Sequence, residues 1–206
     1  MNKKKSDEII NILRTIIINP KPELDFKNIY ELTIAVILSA QTTDKKVNIV
    51  TKDLFLKYPS FNELKDADID DVIDIIKPLG LYQNKAKNII LCSKEIIDKY
   101  SGVVPNTLDG LTKISGIGRK CASVILALGY NIPALPVDTH LYRMAKRLGY
   151  IKNNESILMA EEAYKKYIKV NDWIEAHHLF LLFGRYYCTS KSPKCDSCKL
   201  IKYCKK

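Results

Sequence analysis

The sequence predicts an all-α fold, and three observations carry that prediction. Apolar residues recur at three- and four-residue spacing along nearly the whole chain. The isoleucine-rich stretches keep the same helical period although they are β-branched, so no strand ladder emerges. Prolines and glycines fall between the periodic segments, and neither a low-complexity linker nor a solenoid repeat divides them. At 206 residues and 47% hydrophobic, the chain can bury one substantial core or two smaller ones.

Ile9, Ile10, Leu13, Ile16 and Ile17 repeat helically behind a Ser6 cap, and Pro20 and Pro22 then break the chain. Residues 30–38 are apolar on most faces and predict a buried helix. Thr42 or Thr43 caps the next helix, which turns Val47, Val50, Leu54 and Phe55 inward and ends before Pro59. Asp68 opens a helix through Val72, Ile73 and Ile76, stopped by Pro78 and Gly80. Residues 85–100 place Ala86, Ile89, Ile90, Ile96 and Ile97 on one face. A short helix from Asn106 or Thr107 ends near Thr112, and residues 120–128 form the next, closed by Gly129. After a loop holding Pro133 and Pro136, helices are predicted at 139–148, 156–168 and 173–186.

Lysine and arginine outnumber aspartate and glutamate by 33 to 23, a net charge of +10. Such an excess suits a polyanion, because each cation that meets a phosphate can release a counterion. Charge taken alone is equally consistent with simple solubility. Its distribution is uneven, however. Arg185, Lys191, Lys194, Lys199, Lys202, Lys205 and Lys206 crowd the C-terminal end with Asp196 as the sole acid, whereas Asp66, Asp68, Asp70, Asp71 and Asp74 cluster in mid-chain. No run approaches the roughly 18 apolar residues of a membrane helix, and the charged start lacks the apolar stretch of an export signal. The expectation is a soluble cytoplasmic protein with no membrane partner, nucleoid-associated if bacterial.

Six cysteines are present. Cys92 and Cys121 stand singly in helical patterns, while Cys188, Cys195, Cys198 and Cys204 fall within the last 19 residues. An exported disulfide framework would spread its cysteines, so the cluster reads as a metal site. The pattern Cys-x6-Cys-x2-Cys-x5-Cys accommodates zinc or an iron-sulfur cluster. With one Cys-x2-Cys pair and neither common ferredoxin spacing, the chemistry by itself leans slightly to zinc.

The most informative segment is Ile114-Ser115-Gly116-Ile117-Gly118-Arg119-Lys120-Cys121-Ala122. Two glycines around one apolar residue allow a tight turn between helices and leave room for a close approach. Their amides, with the N-terminus of the following helix, form a seat for a phosphate, and Ile117 would point inward and pin the two helices. A lone Gly-x-Gly is more often an ordinary helix–helix turn. Lys120 beside it and Asp138 in Pro136-Val137-Asp138-Thr139-His140 shift the balance, although Asp138 also suits the plain role of helix cap.

The hairpin, followed eighteen residues after Lys120 by Val-Asp-Thr-His, resembles the helix-hairpin-helix DNA glycosylase superfamily. Three further segments resemble its endonuclease III branch: Leu38-Ser39-Ala40-Gln41-Thr42-Thr43-Asp44, Gly80-Leu81-Tyr82-Gln83-Asn84-Lys85-Ala86, and the C-terminal cysteines. The matches run in order from about residue 9 to Cys204. The resemblance implies two helical lobes with a central cleft. A six-helix lobe at 21–130 would contain the hairpin, and residues 1–20 with 131–206 would form the second, carrying the cluster loop at 188–204. It also implies a monomeric bifunctional DNA glycosylase/AP lyase that acts on double-stranded DNA with damaged bases, oxidised pyrimidines above all, or abasic sites. Lys120 would be the amine nucleophile, forming a Schiff base before β-elimination, and Asp138 the assisting carboxylate. Gly116, Ile117, Gly118, Arg119, His140 and Lys191 would meet phosphates, and Gln41 and Leu81 would fill the gap behind a flipped nucleotide. For the four cysteines the resemblance points to a [4Fe-4S] cluster rather than zinc.

An unperturbed lysine, pKa about 10.4, is neutral only about once in a thousand near pH 7.4, and lowering it two to three units takes about 3 to 4 kcal/mol. A helix N-terminus supplies about 0.3 to 1 of that, so desolvation must supply most, helped by Arg119. Asp138 is expected to stand off from Lys120. His177 and His178 sit in an apolar helix and read as packing residues, and Tyr186 and Tyr187 as packing against the cysteine loop. An adenine-glycosylase relative would carry Glu where Val36 stands and would lack Lys120. A non-enzymatic DNA-binding module would need neither Lys120 nor Asp138.

Overall fold

The structure, a computed structural model, describes residues 1–205; Lys206, the last of the C-terminal basic residues, lies outside the described residues. It is helical throughout, with no strand among the described residues. None of its helices is long and apolar enough to cross a membrane. Chain contacts divide it into two compact units, one of Pro22–Ile132 and one of Met1–Lys21 together with the chain from Pro133 onward.

Pro22–Ile132 holds α2 (Ile29–Leu38), α3 (Asp44–Lys57), α4 (Phe61–Lys65), α5 (Ile69–Ile76), α6 (Tyr82–Tyr100), α7 (Leu108–Thr112) and α8 (Arg119–Tyr130). These are seven helices where six are expected. The extra one, α4, has five residues and is too short to show a period, although Ser60 caps it by accepting from the Asn62 N–H. Asn28, Asp68 and Thr107 likewise cap α2, α5 and α7 with side-chain oxygens. The long helix α6 is central and packs against α2, α4 and α5. It begins at Tyr82, a turn earlier than its apolar stripe suggests, because Tyr82, Gln83 and Asn84 are exposed and carry no apolar signal. Helix α8 runs through Gly129 instead of stopping there. A side chain at Gly129 would place its Cβ 2.3 Å from Ile29 Cδ1, so the glycine serves the close packing of α8 on α2, and Asn131, with φ +53°, ends the helix.

The second unit contains α1 (Lys3–Ile16), α9 (Thr139–Arg147), α10 (Ile157–Tyr167) and α11 (Trp173–Tyr186), with single 3-10 turns at Val170–Asp172 and Ile201–Tyr203. Its core joins Ile9, Ile10 and Leu13 of α1 to Leu141, Phe180 and Phe183. The fully buried Tyr164 packs 4.5 Å from Tyr150 and 4.9 Å from Phe180, and its hydroxyl donates to the Leu141 carbonyl at 2.9 Å. Asn2, not Ser6, caps α1, its side chain accepting from the Lys5 N–H at 2.9 Å. Ser6 lies inside the helix, where its hydroxyl bonds Tyr150 Oη at 2.7 Å in the core. His177 and His178 are buried in α11 with ring centroids 5.0 Å apart.

Because Leu13 is fully buried between α1 and the helices from the far end of the chain, Leu13→Ala should lower stability by roughly 2 to 5 kcal/mol. Urea unfolding measures this. An unchanged midpoint would remove α1 from that core.

Candidate DNA-binding and catalytic site

The hairpin is formed by α7, the turn at 113–118, and α8. Gly116 has φ +79°, a left-handed conformation that side chains disfavour. Its other face is closed as well, since a Cβ there would stand 2.9 Å from Asn88 Cβ and 3.2 Å from Ile37 Cγ2. Gly118 differs. Its φ of −83° is open to any residue and nothing lies within 4 Å of where a Cβ would be, so its use is to leave the surface clear. Ile117 is 4% exposed and locks the turn into the core. From α6, Glu95 accepts the Ser115 N–H at 2.7 Å and Lys99 at 2.8 Å, which holds its carboxyl below the usual carboxylate range despite burial.

Gly118 is the N-cap of α8 and offers no side-chain acceptor, so the first amides of that helix are not claimed by a cap. Arg119 and Lys120 are exposed on this first turn, and Cys121 beside them is half-buried, its thiol pushed up by burial. The dehydration expected around Lys120 is therefore not built into the free chain.

Two more turns in the same unit have unusual backbones. Gln41, with φ +54°, is exposed between α2 and α3, and Thr43, one of the two threonines expected to cap α3, stands at its N-cap. Leu81, with φ +59°, precedes α6 and is 54% exposed instead of packing inward. Lys85 lies between them, 4% exposed, and donates from Nζ to Thr42 Oγ1 at 2.6 Å.

The remaining candidates belong to the other unit. Asp138 caps α9, its Oδ1 accepting the N–H groups of His140 at 2.8 Å and Leu141 at 2.9 Å. Arg143 Nη2 lies 3.2 Å from His140 Nδ1. A guanidinium has only donors, so Nδ1 accepts here, which leaves the ring proton on Nε2. Arg143 also donates to the carbonyls of Gly184 at 2.6 Å and Cys188 at 3.0 Å. Arg147, one turn on, donates from Nη1 to Cys188 Sγ at 3.0 Å and to the Cys188 and Thr189 carbonyls, and from Nη2 to Ser190. The sequence reading passed over both arginines, though their i, i+4 spacing behind Asp138 places them on one helix face.

None of the six cysteines is disulfide-bonded. Cys188, Cys195, Cys198 and Cys204 line one cavity of about 480 Å³, shared with Arg147, Phe183, Tyr187 and Pro193. Among the described residues no three His, Cys, Asp or Glu side chains are grouped to hold a metal ion. Lys191, Lys194 and Lys199 are exposed on the same loop. Tyr187 packs as expected, stacked on Phe183 at 5.4 Å with Lys194 Nζ over its ring, whereas Tyr186 is half-exposed because the last turn of α11 points it outward.

Comparison with known proteins places this geometry. A model of the HhH-GPD superfamily of base excision DNA repair proteins matches residues 34–169, which include both left-handed turns, the hairpin, Lys120 and Asp138. The chain is 43% identical to endonuclease III of Bacillus subtilis over 183 residues, 89% of this chain and 84% of the relative. It is 36% identical to endonuclease III of Escherichia coli over 206 residues, 99% and 96% of the two chains. It is also similar to the solved structure of a trapped endonuclease III–DNA covalent intermediate, with a TM-score of 0.96 and 39% identity over 100% of this chain and 96% of that one. The chain belongs to the HhH-GPD superfamily of base excision DNA repair proteins.

Proposed function

We propose that this chain is a bifunctional DNA glycosylase/AP lyase that removes oxidised pyrimidines from double-stranded DNA and cleaves the resulting abasic site. The observation that carries this reading is Lys120, an exposed amine on the uncapped first turn of α8, directly behind a hairpin whose backbone only glycine fits at Gly116. The hairpin amides and Arg119 hold a phosphate, which sets the register of the strand without reading sequence. His140 through Nε2–H and Lys191 add further phosphate contacts. Gln41 and Leu81, both exposed, occupy the space left by the extruded nucleotide. The protein acts as a monomer, with Lys120 as the amine and Asp138 as the carboxylate, and works where the chromosome is, in the cytoplasm at the nucleoid.

In the reaction the Lys120 amine attacks C1′ of the flipped sugar and the glycosidic bond to the base breaks. The base leaves with a proton, and the ring-opened sugar is held as a Schiff base. Loss of the C2′ proton then expels the 3′ phosphate by β-elimination, and water releases the lysine. Lys120 is exposed in the free chain, so the dehydration that favours its neutral form arrives with the DNA. Asp138 has one oxygen committed to the α9 amides, and the second is the one available to the sugar.

The donor set suits a [4Fe-4S] cluster. Four thiols line one cavity, the number of thiolate ligands that such a cluster takes. Arg147 beside Cys188 Sγ places a fixed positive charge against the thiolates. Such a cluster would fold the basic loop bearing Lys191, Lys194 and Lys199, and base release does not route through it.

Lys120→Ala should abolish borohydride trapping on abasic duplex DNA; wild-type trapping in this variant would overturn the nucleophile assignment. Asparagine caps a helix as well as aspartate does. Asp138→Asn should therefore keep stability and DNA affinity while slowing base release by about 100-fold or more. Gly116→Ala should weaken binding of undamaged duplex by about tenfold, since a side chain at φ +79° costs roughly 1 to 2 kcal/mol before the contact with Asn88 is counted. Protein made with adequate iron under anaerobic conditions should be brown, with about four irons per chain expected of the cluster; stoichiometric zinc instead would count against it.

A further inference from the structure

We propose that Lys85 is a positioning residue that ties the Gln41 turn to the Leu81 turn, so that the two enter DNA as one rigid element. This rests on the reading of Gln41 and Leu81 given above.

Lys85 grips both turns at once. Its backbone N–H donates to the Leu81 carbonyl at 3.0 Å, the first helical bond of α6. Its ammonium donates to Thr42 Oγ1 at 2.6 Å, one residue past Gln41. The Gln41 turn is closed locally by the Thr42 N–H on the Ser39 carbonyl at 3.1 Å, and Lys85 adds the link across to α6. Each turn needs holding, because a non-glycine residue at φ +54° or +59° is strained and relaxes when unsupported.

Stability alone is a poor account of this lysine. At 4% exposure its ammonium has lost most of its hydration, and one neutral hydroxyl gives back a single charge-assisted bond. Among the described residues no ion pair offsets the charge. Burial also holds its pKa below the usual lysine range. A methionine would fill the space without that loss. What the charged tip supplies and methionine cannot is a directed bond from α6 to the neighbouring turn.

The test compares Lys85→Met, Thr42→Val and the double variant on two duplexes, one carrying thymine glycol opposite adenine and one a pre-formed abasic site at the same position. Lys85→Met should keep or raise the melting temperature, lower single-turnover excision of thymine glycol about tenfold with little change in DNA affinity, and leave abasic cleavage within about twofold. Thr42→Val should reproduce this loss, and the double variant should be no worse than either single. Equal loss on both substrates, a marked fall in melting temperature, additive losses in the double variant or unchanged excision by Lys85→Met would each overturn the proposal. Gln41→Ala and Leu81→Ala, run alongside, separate the two ideas. If they do not distinguish the substrates, the gap-filling reading fails and takes this one with it. If they do and Lys85→Met does not, only the tie fails.

Discussion

Three features of Pro22–Ile132, the Gln41 turn, the Leu81 turn and the hairpin, hang from one helix, α6. Its first turn bonds the Leu81 carbonyl and, through Lys85, the Gln41 turn. One turn further on, Asn88 presses against Gly116 so closely that the hairpin glycine has no room for a side chain. Two turns beyond that, Glu95 accepts the Ser115 N–H at the base of the same hairpin. The spacing 85, 88, 95 keeps these groups near one face, alongside the apolar stripe of Ala86, Ile89 and Ile96 that anchors the helix in the core. A nineteen-residue helix, about 28 Å at 1.5 Å per residue, is rigid enough to fix such turns relative to one another. The left-handed residues Gln41 and Leu81 depend on that rigidity, since each would otherwise fall back to an ordinary conformation.

The other unit solves an electrostatic problem of its own. Four thiols concentrated in one loop must become anionic to bind a metal group, and their mutual repulsion opposes it. Arg143 and Arg147 meet this from α9, donating to the carbonyls of residues 184, 188, 189 and 190 and, from Arg147, to Cys188 Sγ itself. The same α9 begins at Asp138. The ten residues 138–147 therefore carry that carboxylate at one end and the arginines that shape the cysteine loop at the other, which ties the loop to the helix that Asp138 caps.

Period and punctuation made most of the helices legible, because an amphipathic pattern bounded by a cap and a proline leaves few alternatives. The failures were local and physical. Helix α4 is a single turn, below the length at which a period can be read. Gly129 looked like a terminator, but the missing side chain is used for packing, which only the neighbouring α2 reveals. Ser6 looked like a cap and is a core hydroxyl paired with a tyrosine 144 residues away. At the site, the hairpin, Lys120 and Asp138 could be singled out because their spacing belongs to a family pattern. Lys85 and Glu95 could not. A lysine in the first turn of an amphipathic helix reads as solvated, and its burial depends on Thr42, forty-three positions earlier in the chain.

The two helices that carry Lys120 and Asp138, the proposed reactive groups, begin in opposite ways. Helix α9 starts with a carboxylate that satisfies two of its amides and neutralises the positive end of its dipole. Helix α8 starts with a glycine that satisfies none by side chain. A capped N-terminus gains about 1 kcal/mol of stability and loses its affinity for an external anion; an uncapped one forgoes that stability and keeps the affinity. The difference follows from what each helix must do. Helix α9 has to hold Asp138 still, and the cap bonds themselves immobilise the side chain. Helix α8, in the proposed mechanism, receives a phosphate next to an amine that works only when neutral. An aspartate in place of Gly118 would occupy the phosphate seat and, as a neighbouring negative charge, favour the protonated lysine. Glycine at Gly118 avoids both, which gives a chemical reason for a residue that backbone geometry alone does not require there.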